Sequence, residues 1–188
     1  CLVGSEMCIR DRKQGGEDDG FAFTDYNVVT NAWHYAALKQ MEGIAGALGK
    51  QDDVAFYASE SDAFKKRFIR SFFDVRKGYF TDGLAADTDH ASLHGNMFPL
   101  AFDLVPAGKK QNVVDFIQTR GMACSVYGSQ FLMDALYEAN DAEYALHMLT
   151  KTDDRSWYNM IRVGSTISLE AWDNKYKPNQ DWNHAWGA

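Results

Sequence analysis

The chain has 188 residues, with 46% hydrophobic and 24% charged residues and only 3 prolines, which excludes a disordered tail, a collagen-like fibre and a disulfide-stapled miniprotein. Lys plus Arg number 19 against 26 Asp plus Glu, a net charge of −7. An acidic chain without a basic stripe is a poor partner for nucleic acid or an anionic membrane. No apolar run reaches the roughly 18–20 residues of a membrane span.

The first twelve residues, CLVGSEMCIRDR, show no hydrophobic period and resemble translated sequencing adaptor. We set residues 1–12 apart from the fold and take 13–188 as one partial domain. The cysteines are Cys1, Cys8 and Cys124. An odd number without a CxxC pair argues against a zinc site or a disulfide framework, and Cys124 reads as a small buried hydrophobe.

From Tyr26 to Leu48 the apolar residues Val29, Trp33, Ala37, Met41, Ile44 and Leu48 recur at helical spacing. Thr24 or Asp25 is placed to cap that helix and Gly49 to end it. A second helix is expected over Asp52–Asp74, with Phe56, Phe64, Phe68 and Phe72 on one side. The short turn between them predicts an antiparallel hairpin. A short strand is expected at Tyr79–Thr81, then helices over His90–Leu104 and Gly108–Arg120, the latter ended by Gly121. A third pair covers Tyr127–Ala139 and Asp141–Leu149, joined at Asn140. Helix pairs at intervals of about 40–50 residues with weak strand signals predict an all-α array of hairpins, either a solenoid or a closed toroid.

After Leu149 the helical period fades. Four of the five tryptophans (Trp157, Trp172, Trp182 and Trp186) crowd this aromatic, polar stretch, which reads as one long loop, and loops of that length usually carry function. Glu170 stands within GSTISLEAWD, a carboxylate between apolar neighbours and near a tryptophan. Hydrolysis of a glycosidic bond needs two carboxyl groups and aromatic faces for the sugar's C–H surface. Glu170 supplies one carboxyl group, Asp173 or Asp181 is placed to supply another, Trp172, Trp182 and Trp186 offer faces, and His184 can bind a hydroxyl. The plainer reading makes Glu170 a solvated loop residue and the tryptophans core.

His90 and His94 have the i, i+4 spacing of a metal pair, but the glutamate of a zinc-protease helix is missing. The preferred reading sets His94 at a helix start facing the mouth of a toroid, where it touches substrate. Neither phosphate-loop nor nucleophile-elbow signatures occur, and no cofactor is implied.

SWYNMIRVGSTISLEAWDNKYKPNQDWNHAWGA resembles the C-terminal catalytic stretch of bacterial α-L-rhamnosidases, glycoside hydrolase family 78. ADTDHASLHGNMFPLAFDLVP and GMACSVYGSQFLMDALYEA resemble helices of that family's barrel. The likeness runs from about Phe21 onward. It implies an (α/α)6 toroid of six helical hairpins, of which this chain would hold about three, and hydrolysis of terminal α-L-rhamnosyl units with inversion. It places Glu170, in T-x-x-x-E-x-W-D, as general base, His184 as a substrate-binding residue and Trp172 near the sugar. The family's general acid lies in an acidic and Arg-rich segment that does not occur here. The resemblance therefore implies an inactive isolated chain that lacks the N-terminal half of its own barrel. Enzymes of this type are often exported, with any signal lying upstream. Alternatives are another (α/α)6 carbohydrate-active enzyme, a non-catalytic helical-repeat module docking through the tryptophan cluster, and a metal hydrolase built on His90 and His94.

Overall fold

The computed structural model describes residues 17–182. Among these the chain forms seven helices and one two-stranded ribbon. In chain order they are α1 (Val28–Ala47), α2 (Gln51–Phe72), β1 (Phe73–Asp74), β2 (Tyr79–Phe80), α3 (His94–Ala101), α4 (Lys110–Arg120), α5 (Ser129–Glu138), α6 (Ala142–Thr150) and α7 (Trp157–Arg162). The fold is all-α, with α1/α2, α3/α4 and α5/α6 packed as successive hairpins. No described helix is long and apolar enough to cross a membrane.

The first hairpin turns where expected. The N–H groups of Gly49 and Lys50 donate to the carbonyls of Gly46 and Ala45 at 3.0 and 2.9 Å. This Schellman closure requires the left-handed residue that Gly49 supplies at φ 71°. Gly121 (φ 58°) and Asn140 (φ 63°) likewise terminate α4 and the α5 region. The N-terminal cap differs from expectation: Asn27, not Thr24 or Asp25, accepts the Thr30 N–H at 2.9 Å. Thr24 instead donates to the Tyr26 carbonyl at 3.0 Å, a turn that sets the chain's entry into α1.

The buried side of α1 is Val28, Ala32, Tyr35 and Ala45, while Met41, Ile44 and Leu48 of the expected stripe stand exposed. Phe56 is exposed on α2, whereas Phe68 and Phe72 enter the core. The hairpin's base is thus packed and its tip is not. Aromatic rings knit that base together: Phe68 lies 5.2 Å from Phe72 and 5.5 Å from Phe80, and Phe73 lies 5.0 Å from Phe80. Trp33 bridges hairpins by contacting Phe98, Phe102 and Phe131 at 5.1–5.5 Å.

The expected strand at 79–81 forms as Tyr79–Phe80 paired antiparallel to Phe73–Asp74. Its turn is held by Asp74, whose Oδ1 accepts the Arg76 N–H at 2.8 Å and the Lys77 N–H at 3.2 Å. These bonds hold its carboxyl below the ordinary carboxylate range. The third helix is shorter than His90–Leu104, because residues 90–93 are occupied elsewhere. Buried Asp82 gathers them, accepting from the Ser92 N–H and hydroxyl at 2.9 and 2.7 Å and from the Ala22 N–H at 2.9 Å, with His90 Nδ1 2.6 Å away. One carboxylate thereby ties the segment before α1 to the entry of α3.

The stretch after Leu149 holds a helix that the sequence reading passed over, α7. Ser156 caps it, accepting the Asn159 N–H at 3.1 Å. It is barely two turns long, too short for its apolar period to register.

Candidate active site

Residues 163–182 form a loop, and its burial alternates around Glu170. Leu169 (0% exposed), Ala171 (2%) and Trp172 (0%) are buried, while the Glu170 side chain keeps 26% of its surface. Hydrophobic anchors on either side thus present one carboxylate to solvent.

Those anchors are each bonded. The Ala171 N–H donates to Oε1 of buried Gln180 at 2.8 Å, and the Trp172 N–H to Glu17 Oε1 at 3.3 Å. The Trp172 indole N–H donates to the Cys124 carbonyl at 2.7 Å, and its ring meets Trp157 edge-on at 5.0 Å. From α7, Asn159 Nδ2 donates to the Trp172 carbonyl at 2.9 Å and to Asp173 Oδ2 at 2.8 Å. The motif is therefore clamped from three parts of the chain: α7, the Cys124 backbone and the segment before α1.

The Glu170 carboxylate meets a backbone donor and an ammonium. Oε2 accepts the Asp181 N–H at 3.1 Å, and Oε1 meets the Lys177 ammonium. The Glu170 N–H returns a bond to the Asp181 carbonyl at 3.3 Å. Glu170 is thus a part-exposed carboxylate set beside an ammonium and fixed by a backbone donor.

The structure distributes the other expected site residues unevenly. Trp182, 48% exposed, directly follows Asp181, whose N–H bonds the Glu170 carboxylate. His184 and Trp186 lie outside the described residues. Trp172 corrects the expectation of a stacking face: it is wholly buried, and its ring packs the loop against Trp157. Asp173 is a loop clamp. Its Oδ1 accepts the Lys175 N–H at 3.0 Å, and that bond, with the Asn159 amide, holds its carboxyl below the ordinary range.

His90 and His94 do not converge. His90 pairs with Asp82, whereas His94 begins α3 and faces a cavity beside Asp18 and Phe21. No group of three His, Cys, Asp or Glu side chains is arranged for a metal among the described residues. Cys124 is fully buried, and desolvation pushes its thiol far up, away from nucleophilic use.

Four residues of this site escaped the sequence reading: Glu17, Asn159, Lys177 and Gln180. Only the run KYKPNQD carried a signal, as the one part of the loop that sets a cation and an amide just after the carboxylate.

The family model for the bacterial alpha-L-rhamnosidase 6 hairpin glycosidase domain matches residues 6–188. Among solved structures, the chain is similar to an alpha-L-rhamnosidase from Aspergillus terreus, with a TM-score of 0.73 and 20% identity over 94% of this chain and 21% of that one. It is similar to one from Dictyoglumus thermophilum, with a TM-score of 0.70 and 22% identity over 83% of this chain and 18% of that one. A third, from Streptomyces avermitilis and complexed with L-rhamnose, gives a TM-score of 0.68 and 20% identity over 96% of this chain and 19% of that one. The chain thus spans about a fifth of the length of these relatives. No curated protein matches it. The chain belongs to the bacterial alpha-L-rhamnosidase six-hairpin glycosidase domain family.

Proposed function

We propose that this chain carries the general-base part of a glycoside hydrolase that removes terminal α-L-rhamnosyl units with inversion, and that Glu170 is the base. Glu170 takes a proton from a water attacking the anomeric carbon, while an acid upstream of these residues protonates the departing oxygen. Inversion places the two carboxyl groups about 6.5–9.5 Å apart, with the water between them. The observation that carries this reading is the pose of Glu170, a part-exposed carboxylate between buried neighbours, beside Lys177 and bonded to the Asp181 N–H. Trp182 then supplies an aromatic face for the sugar, and His184 a partner for its hydroxyls.

The test uses the chain extended at its N-terminus to a complete six-hairpin domain. Glu170→Gln in that protein should lower kcat on p-nitrophenyl α-L-rhamnoside by about 10²–10⁴ and leave KM nearly unchanged. A variant that retains near-parent turnover removes Glu170 from the reaction.

A further inference from the structure

At the entry to α3 a cavity of about 340 Å³ opens between the segment before α1 and His94. One side is apolar, made by Phe21, Phe23 and Val29, with the two phenyl rings edge-to-face at 4.8 Å. The rest of the lining is polar: Asp18, Asn27, Thr30 and His94. A mixed lining of this kind, C–H-binding faces opposite a few convergent polar groups, suits a hydroxylated ring better than a wholly apolar guest.

His94 is poorly explained by packing alone. Its Nδ1 is buried without a hydrogen-bond partner, the one such side-chain atom among the described residues. Desolvation holds the imidazole below its ordinary pKa of 6.5, so the ring is neutral at pH 7. A neutral imidazole has one N–H and one bare nitrogen. Sealing an unmatched N–H in the protein costs more than sealing a lone pair, since under-satisfied acceptors are the commoner compromise. The bare nitrogen is then Nδ1, and the proton sits on Nε2.

The cavity is also linked to the candidate active site through the chain. Asp18 follows Glu17, whose carboxylate accepts the Trp172 N–H two residues from Glu170. Asp19 accepts the Leu93 N–H just before His94 and is paired with Arg120. The acidic turn at 17–19 is thus built into both sites.

We propose that this cavity is a sugar subsite in which His94 Nε2–H donates to a ligand hydroxyl while Phe21 and Phe23 pack against the ring's C–H face. The proposal rests on the glycosidase reading and adds a binding residue remote in sequence from the Glu170 loop. The sugar is either the rhamnosyl unit itself or a sugar of the leaving group.

The test is an imidazole ¹⁵N–¹H spectrum of the 188-residue chain, titrated separately with L-rhamnose and with phenyl β-D-glucoside as a leaving-group mimic. His94 is assigned by its loss in His94→Gln. We expect the Nε2–H tautomer at pH 7 and a saturable change at Nε2 with one of the two sugars, whichever identifies the unit bound. His94→Phe should weaken that sugar about tenfold, the effect of one lost hydrogen bond, and His94→Gln, whose amide reaches the Nε2 position, should restore most of it. An Nδ1–H tautomer, or a sugar that shifts the Ala171 amide and Trp182 indole but not His94, overturns the subsite and leaves the Glu170 reading intact. If neither sugar shifts any of these signals, the subsite is overturned, while turnover of p-nitrophenyl α-L-rhamnoside by the extended protein tests the glycosidase reading separately.

Discussion

At the scale of single residues, the position of Glu170 was legible because its motif carries alternation: Leu169 and Ala171 bury, and the carboxylate between them is turned outward. The role of Trp172 was not legible. Composition shows a cluster of tryptophans but not which ring turns inward, and here that choice is made by the Cys124 carbonyl and Trp157, residues remote in sequence. Lys177 was missed for the same reason, since a loop has no period from which to infer that a residue seven positions away will fold back.

Asp173 yields a pH prediction. Its folded-state pKa lies below the ordinary value of 3.8, so it stabilises the fold above that value and loses its contribution as pH falls through the depressed one. Asp173→Asn should therefore lower Tm at pH 7, and the deficit should shrink in melts taken progressively below pH ~4. An equal deficit at pH 7 and in strong acid would mean that the residue acts by shape, not charge.

Among the elements, helices long enough to show a period were read correctly to within a few residues, and the turn glycines marked their ends. Two failures have physical causes. Residues 90–93 were read as helix but are pulled out of it by Asp82, which binds His90 and Ser92. That removes the geometry behind the i, i+4 histidine pair, because only His94 is helical. The helix α7 is short, and its identity rests on its cap and on Asn159, a fully buried amide that clamps the Glu170 loop at the Trp172 carbonyl and Asp173. Asn159→Ala leaves that carbonyl unpaired and should destabilise the chain by about 1–3 kcal/mol, measured by urea denaturation. Unchanged stability would show that the clamp is dispensable.

Gly49 offers a cleaner backbone test. An added Cβ there meets nothing within 4 Å, yet φ is 71°. Gly49→Ala should therefore cost roughly 1–2 kcal/mol through left-handed strain alone. A neutral substitution would mean that the turn relaxes to another geometry.

At the scale of the whole molecule, the described residues form three hairpins, a short ribbon, the helix α7 and a loop, and their packing is lopsided. Met41, Ile44, Leu48 and Phe56 lie exposed on the tip of the first hairpin, a concentration of apolar surface that favours self-association. Ile44→Glu with Leu48→Glu should make the chain more monodisperse in sedimentation velocity without lowering Tm. If it is already a monodisperse monomer without these changes, this surface is not a liability.

The hairpin period in the sequence foretold the all-α architecture, because each pair must bury one face against its neighbour. It could not show which part of the first hairpin would be covered. The central claim is that Glu170 directs water onto the anomeric carbon of a rhamnoside. The most direct measurement follows p-nitrophenyl α-L-rhamnoside by ¹H NMR with the N-terminally extended protein and its Glu170→Gln variant. The account predicts β-L-rhamnose as the first-formed sugar from the parent and almost no turnover by the variant. First-formed α-L-rhamnose, or turnover that survives Glu170→Gln, would contradict it.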